Sequence, residues 1–260
     1  MNSTGLTPAA QLSRPDGGYI AYHRTRGKRA DLPGVVFIHG LRSDMDGEKA
    51  TRLHEFCAER GQSFVRFDCR GHGQSSSKFE ETTLSDWASD AKLVIEQLTQ
   101  GPQIVVGSSM GGWLMLLSAL ALPNRVTGLV GIAAAPDFTR SLQKSLSKEE
   151  AKALTRDGLI RRPSEYAPEP YVFTKALLDD GNKNVVLEKP IAFQGRTRLL
   201  HGMLDDAVPW ELSLEIAEKI ESEDVKVILI KDGDHRLSRE SDIRQMHQAI
   251  IELSDPNHKC

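Results

Sequence analysis

Short apolar runs alternate along this chain with amphipathic stretches, and the two periods predict two kinds of element. The run GVVFIHG, Gly34 to Gly40, is apolar at successive positions. An extended chain there buries both of its faces, as a strand does in a parallel sheet covered by helices. SFVRFD, the run opening at Ile104, RVTGLVGIAAA (Arg125 to Ala135), Thr197 to His201 and Val225 to Ile230 repeat the pattern. Between them the apolar residues move to helical spacing. Ala50, Leu53, Phe56 and Cys57 share one face that stops at Gly61, where a C-cap is expected. Trp87, Ala91, Val94, Ile95 and Leu98 form another face behind a capping-box pair, Thr83 and Asp86. Further helices are predicted over Trp113 to Leu122, Glu211 to Ile220 and about Glu240 to Leu253.

Strands alternating with helices in this way call for a mostly parallel, doubly wound α/β sheet with helices on both faces. GYIAYHR reads as a first, edge-type strand by its alternation, and residues 1–15 as a loose N-terminal arm before a single domain over 16–260. The rhythm breaks between Pro136 and Pro190. There SLSKEEAKALTRDG predicts a polar helix with its own capping box (Ser147 and Glu150), followed by the proline-rich RRPSEYAPEP and a second short helix in YVFTKALLDDG. This insertion, about 136–190, is expected to form a small cap over the site, a position from which such segments control access.

Candidate chemistry centres on IVVGSSMGGW, Ile104 to Trp113. Strand, abrupt turn and helix follow one another within the motif G-x-S-x-G, a setting that presents the central serine on a strained elbow beyond the strand's carboxyl end. That serine is Ser109. Ser108 lacks the flanking glycines and is read as shaping the turn. A serine hydroxyl needs a base to take its proton and an acid to orient the base. His235, in the loop after the strand ending at Ile230, is the candidate base; the other histidines fall at structural, surface or tail positions. For the acid, Asp205, Asp206 and Asp234 compete. Asp205 fits H-G-x-x-D-x-x-V-P, and Asp234 is too near His235 in the chain to face its Nδ1 easily. Ser, then Asp, then His, each past the end of a strand, is the chain order of an α/β-hydrolase.

Ester cleavage also needs donors aimed at the developing oxyanion, and the backbone N–H groups of Leu41 and Met110 are the candidates. Trp113, Phe173 and Trp210 are candidates for lining an acyl pocket, with plain packing as the alternative. Arg140, Arg156, Arg161 and Arg162 of the cap are either a solvated surface or a receptor for an anionic group.

Composition narrows the class further. With 39% hydrophobic and 27% charged residues and a net charge of −3 over 260 residues, neither disorder nor a nucleic-acid surface is indicated. No apolar run approaches the roughly 20 residues that span a bilayer. The start, MNSTGLTPAAQLSR, has neither a signal core nor an arginine-rich amphipathic pattern. Cys57, Cys69 and Cys260 form no C-x-x-C pair, which argues against a disulfide framework or zinc. A cytoplasmic protein without metal or organic cofactor is expected, the mitochondrial matrix being the alternative for a mature eukaryotic chain.

GSSMGGWLML, RLLHGMLDDAVPW and DGDHR resemble the α/β-hydrolase domain-containing protein 10 branch of the α/β-hydrolase superfamily, over about Ser13 to Leu253. FIHG and FDCRGHGQSS are similar to general bacterial members and suggest a bacterial-type relative. The resemblance implies a serine hydrolase with Ser109, Asp205 and His235 in the three roles. The animal members of the branch are mitochondrial and are described as palmitoyl-protein thioesterases and as esterases of mycophenolic acid acyl-glucuronide. The implied substrate is a small ester or acyl-thioester, or an S-acylated protein. Rival readings are C–C or amide hydrolysis on the same three residues, and a ligand-binding protein that keeps the fold without turnover.

Overall fold

Val35 and Phe37 pack into one apolar layer and Val36 and Ile38 into another, so neighbouring residues of a single strand serve opposite faces of one sheet. The same split divides Val105 from Ile104 and Val106, Leu129 from Val130, and Leu199 from Leu200. This two-sided burial is why these strands read as continuous apolar runs. The structure, a computed structural model, describes residues 8–163 and 170–255. Cys260, His258, the first seven positions of the expected arm and part of the proline-rich segment lie outside the described residues.

Before the first parallel strand come β1 (Ala10–Ser13) and β2 (Tyr19–Thr25). The parallel strands are β3 (Gly34–Ile38), β4 (Phe64–Phe67), β5 (Gln103–Ser108), β6 (Val126–Ile132), β9 (Arg196–Gly202) and β10 (Val225–Ile230). They form an 8-stranded sheet in the order β1-β2-β4-β3-β5-β6-β9-β10, with β1 and β2 antiparallel to their neighbours. Helices α1 (Glu48–Glu59) and α8 (Glu240–Ser254) cover one face; α2 (Leu84–Leu98), α3 (Met110–Ala121) and α7 (Glu211–Lys219) cover the other. Thr83 and Asp86 make the reciprocal capping box that the sequence predicts at the start of α2.

Three expectations need correction. The segment read as a loose arm contains β1, which pairs with β2 through Ala10↔Tyr22 to Ser13↔Tyr19. Its side chains are mostly exposed, so backbone pairing leaves no apolar pattern to read. As a result β2 is not the sheet's edge. Between β6 and β9 the chain runs through α4 (Phe138–Lys144), α5 (Lys148–Asp157), β7 (Leu159–Arg162), β8 (Tyr171–Thr174) and α6 (Lys175–Gly181). Tyr171 to Thr174, expected as the start of a helix, is a strand pairing antiparallel with β7. Aromatic and β-branched side chains favour it there, and the helix waits for Thr174, whose hydroxyl caps it by accepting from Leu177 N–H. Gly158, at φ +73°, ends α5.

Candidate active site

The turn from β5 into α3 places Ser109 at φ 54° and ψ −120°, a backbone conformation costly for a residue with a Cβ. Its neighbours hold it there. Ser109 N–H donates to the Ile132 carbonyl at 2.9 Å, and the Ser109 carbonyl accepts from Gly112 N–H at 2.8 Å and Ala135 N–H at 3.0 Å. Gly107 must lack a side chain, because a Cβ would stand 2.2 Å from the Gly111 carbonyl oxygen.

His235 comes from the loop after β10 and brings Nε2 to 3.2 Å from Ser109 Oγ. Its Nδ1 lies 2.7 Å from Asp205 Oδ2. Nδ1 facing a carboxylate carries the proton, which leaves the Nε2 lone pair toward the serine hydroxyl. Asp205 sits in the loop after β9 with a fully buried side chain. Its Oδ1 accepts from Ala207 N–H at 2.9 Å and Val208 N–H at 2.8 Å. Burial alone would raise its pKa, but the hydrogen bonds from His201 and His235, the charge of His235 and the Val208 N–H together hold it well below the usual carboxylate range. The two rival acids are elsewhere: Asp234 Oδ1 accepts from Leu237 N–H within its own loop, and Asp206 is exposed.

The loop after β3 passes against the serine: a Cβ built on Gly40 would lie 3.2 Å from Ser109 Cβ and 3.8 Å from its Oγ. His39 fixes this loop by donating from Nδ1 to the Gly40 carbonyl at 2.7 Å while its Nε2 accepts from Cys69 N–H at 3.0 Å. Because Nε2 accepts, the ring is neutral in this tautomer; burial lowers the His39 pKa, against the raising influence of the Gly40 carbonyl, Asp68 and Asp44. Leu41 follows directly, and no hydrogen-bond acceptor among the described residues takes its N–H. Met110 opens α3, so its N–H belongs to the first helical turn, where no intrahelical acceptor exists.

A cavity of about 640 Å³ opens over these groups, and Ser109, His235, Leu41 and Met110 all line it. Phe138, Tyr171 and Phe173 line it from the insertion between β6 and β9. Of the three aromatic candidates, Phe173 is therefore at the cavity, whereas Trp113 and Trp210 do not line it. Trp113 is fully buried and donates from Nε1 to the Asn184 carbonyl at 3.0 Å, with Phe138 edge-on at 5.6 Å between ring centroids. Its work is packing α3 beneath the insertion. Trp210 is the residue preceding α7, half-buried outside the cavity. Arg140 pairs with Glu188, Arg156 with Asp157 and Arg162 with Glu150, and none of the four cap arginines lines the cavity. Sequence reading passed over Phe138, Tyr171 and Val208 at the cavity. His201, among the histidines read as structural, contacts Asp205, and its spacing four residues before that acid was a usable signal. No cluster of potential metal ligands occurs among the described residues.

A model of the alpha/beta hydrolase family matches residues 35–253. The chain belongs to that family. This hydrolase is 40% identical over 250 residues to the bovine protein named palmitoyl-protein thioesterase ABHD10, mitochondrial, covering 96% of this chain and 81% of the relative. Among solved structures it is similar to a putative hydrolase from Agrobacterium vitis S4, with a TM-score of 0.91 and 37% identity over 95% of this chain and 98% of that one. It is also similar to mouse alpha/beta hydrolase domain-containing protein 10, with a TM-score of 0.86 and 38% identity over 94% and 97% of the two chains.

Proposed function

We propose that this hydrolase cleaves carboxylic ester or thioester bonds through an acyl-enzyme formed on Ser109. The observation that carries the reading is the continuous chain from Ser109 Oγ through His235 to Asp205, with contacts of 3.2 Å and 2.7 Å. His235 Nε2 takes the hydroxyl proton as Oγ attacks the acyl carbon. The Leu41 and Met110 N–H groups receive the oxyanion, each such donor being worth about 3 kcal/mol of barrier. Collapse of the tetrahedral adduct breaks the bond to the leaving alcohol or thiol, which receives the proton from His235. Water, deprotonated by the same Nε2, then hydrolyses the acyl-enzyme and frees Ser109. Asp205, ionised, holds Nδ1 and stabilises the imidazolium that forms in both halves.

The insertion over 136–190 serves as the cap in this reading, and Phe138, Tyr171 and Phe173 give it an apolar wall against an acyl chain. The bovine relative's name as a palmitoyl-protein thioesterase supports a long acyl thioester as substrate. On compartment, no described helix is long and apolar enough to cross a membrane. The bovine relative's name supports a mitochondrial location, with the cytoplasm as the alternative. Fractionation of cells expressing the native protein separates the two.

Wild type and Ser109→Ala assayed on short p-nitrophenyl esters and on palmitoyl thioesters test the activity. Turnover by wild type that disappears in the variant is expected. Turnover that survives in Ser109→Ala overturns the mechanism. Wild type that cleaves only a C–C or amide substrate, or that retains ligand without turnover, overturns the ester assignment.

A further inference from the structure

We propose that His201 is a positioning residue for Asp205, supplying a second imidazole N–H to the carboxylate oxygen that orients His235. The inference rests on the reading of Ser109, His235 and Asp205 given above. His201 is the penultimate residue of β9 and is fully buried. Its Nε2 lies 3.1 Å from Asp205 Oδ2 and 3.1 Å from the Val208 carbonyl oxygen. Both neighbours are acceptors, so Nε2 carries the proton. Its Nδ1 lies 2.7 Å from Ser213 Oγ on α7, and in this tautomer the hydroxyl donates to the ring.

Asp205 thereby receives four donors. Oδ1 takes the Ala207 and Val208 N–H groups, and Oδ2 takes His235 Nδ1–H at 2.7 Å and His201 Nε2–H. Two donors on each oxygen fix both the plane of the carboxylate and the oxygen it offers to the base. The backbone pair alone fixes Oδ1. Oδ2 depends on the two imidazoles, and one of those is the group that must move protons.

Removing the His201 donor has two consequences. The carboxylate regains freedom to turn about its bond to Cβ, so His235 is less often aligned with Ser109 Oγ. The negative charge on Oδ2 also falls more fully on His235, which favours the protonated base. The other charged groups around the base are unchanged by the substitution: Asp234 and Arg236 flank it in the same loop, and Lys49 Nζ from α1 donates to the Arg236 carbonyl.

The test is kcat and kcat/KM against pH for wild type, His201→Leu, His201→Gln and Ser109→Ala on a short p-nitrophenyl ester. A glutamine amide at this position can reach the same oxygen; leucine keeps bulk without a donor. His201→Leu is expected to lower kcat about tenfold to a hundredfold with little change in KM. Its acid limb should move up by about half a pH unit. His201→Gln should restore both. Equal behaviour of the leucine and glutamine variants, or a leucine variant matching wild type, overturns the proposal. If His201→Leu fails to fold, nitrogen-15 NMR of the wild-type histidines takes its place: His201 is expected to carry its proton on Nε2, the nitrogen that faces Asp205. A His201 protonated on Nδ1 alone has no hydrogen to give the carboxylate and overturns the proposal. An active Ser109→Ala defeats the underlying reading instead, so the two failures are distinguishable.

Discussion

Gly111 packs so tightly on the end of β3 that a Cβ built on it would stand 2.2 Å from the Ile38 carbonyl oxygen and 2.6 Å from that of His39. Both obstacles are backbone, so no side-chain rotation relieves them. The helix behind Ser109 is therefore seated directly on the strand that leads into the Gly40–Leu41 loop. Gly111→Ala must push β3 and α3 apart, at a cost of about 3 kcal/mol by overpacking. The expected outcome is a Tm lower by about 6–12 °C, measured by calorimetry, together with a loss of kcat as the loop recedes from Ser109. A variant with wild-type Tm and kcat would show that the contact can relax.

Arg70 and Asp90 form an ion pair at 2.7 Å in which the Asp90 side chain is fully buried and Arg70 is 9% exposed. Arg70 also bonds to Asp86 and Asp16, tying the loop after β4 to α2 and to the turn after β1. Burial raises the Asp90 pKa, and the Arg70 side chain and N–H work against it. Arg70→Ala leaves a buried carboxyl without its cation and is expected to cost about 3–5 kcal/mol in urea unfolding. Arg70→Ala with Asp90→Asn should recover part of that loss, and a double variant less stable than the single one would refute the assignment.

The legible parts of this fold were those with a strong local period. Val225 to Ile230 and the helix from Glu240 were readable almost to the residue, because apolar positions there repeat with one period and little else competes. The elbow that carries Ser109 was readable because strand, turn and helix occur together in ten residues of sequence. β1 was not, since it is held by backbone pairing to Tyr19 through Tyr22 and buries little of itself. The strand over Tyr171 to Thr174 was misread because a four-residue run carries too few turns of either period to decide between them. Trp113 and Trp210 lie near the elbow and the acid loop in sequence, yet the direction of a side chain at such a junction depends on tertiary packing. Phe138 and Tyr171 reach the cavity for the same reason.

Lys49 provides a pH signature. Its ammonium is partly buried beside the base loop, and burial, with a contribution from Arg236, lowers its pKa from 10.5 to about 8 against the pull of Asp234, Glu48 and Asp242. Between those two values the unfolded chain binds more protons than the folded one, so this group makes stability rise with pH across the window. Comparing urea unfolding of wild type and Lys49→Met, wild type should gain relative to the variant from about pH 8 to about pH 10. A difference that stays constant, or runs the other way, contradicts the shift.

Phe173 and Tyr171 alternate with Val172 along β8, so both present themselves to the cavity from the same face of the strand. Phe173→Ala should raise KM for a palmitoyl thioester about tenfold while leaving acetyl esters little changed. Equal effects on long and short chains would place the acyl group elsewhere.

The most direct test of the central claim is mass-spectrometric mapping of the adduct left by a fluorophosphonate probe on the active protein. One phosphonyl group on the peptide containing Ser109, absent in Ser109→Ala and formed far more slowly in His235→Ala, is the predicted result. An adduct on another residue, or full ester turnover by protein whose Ser109 is completely modified, would contradict it.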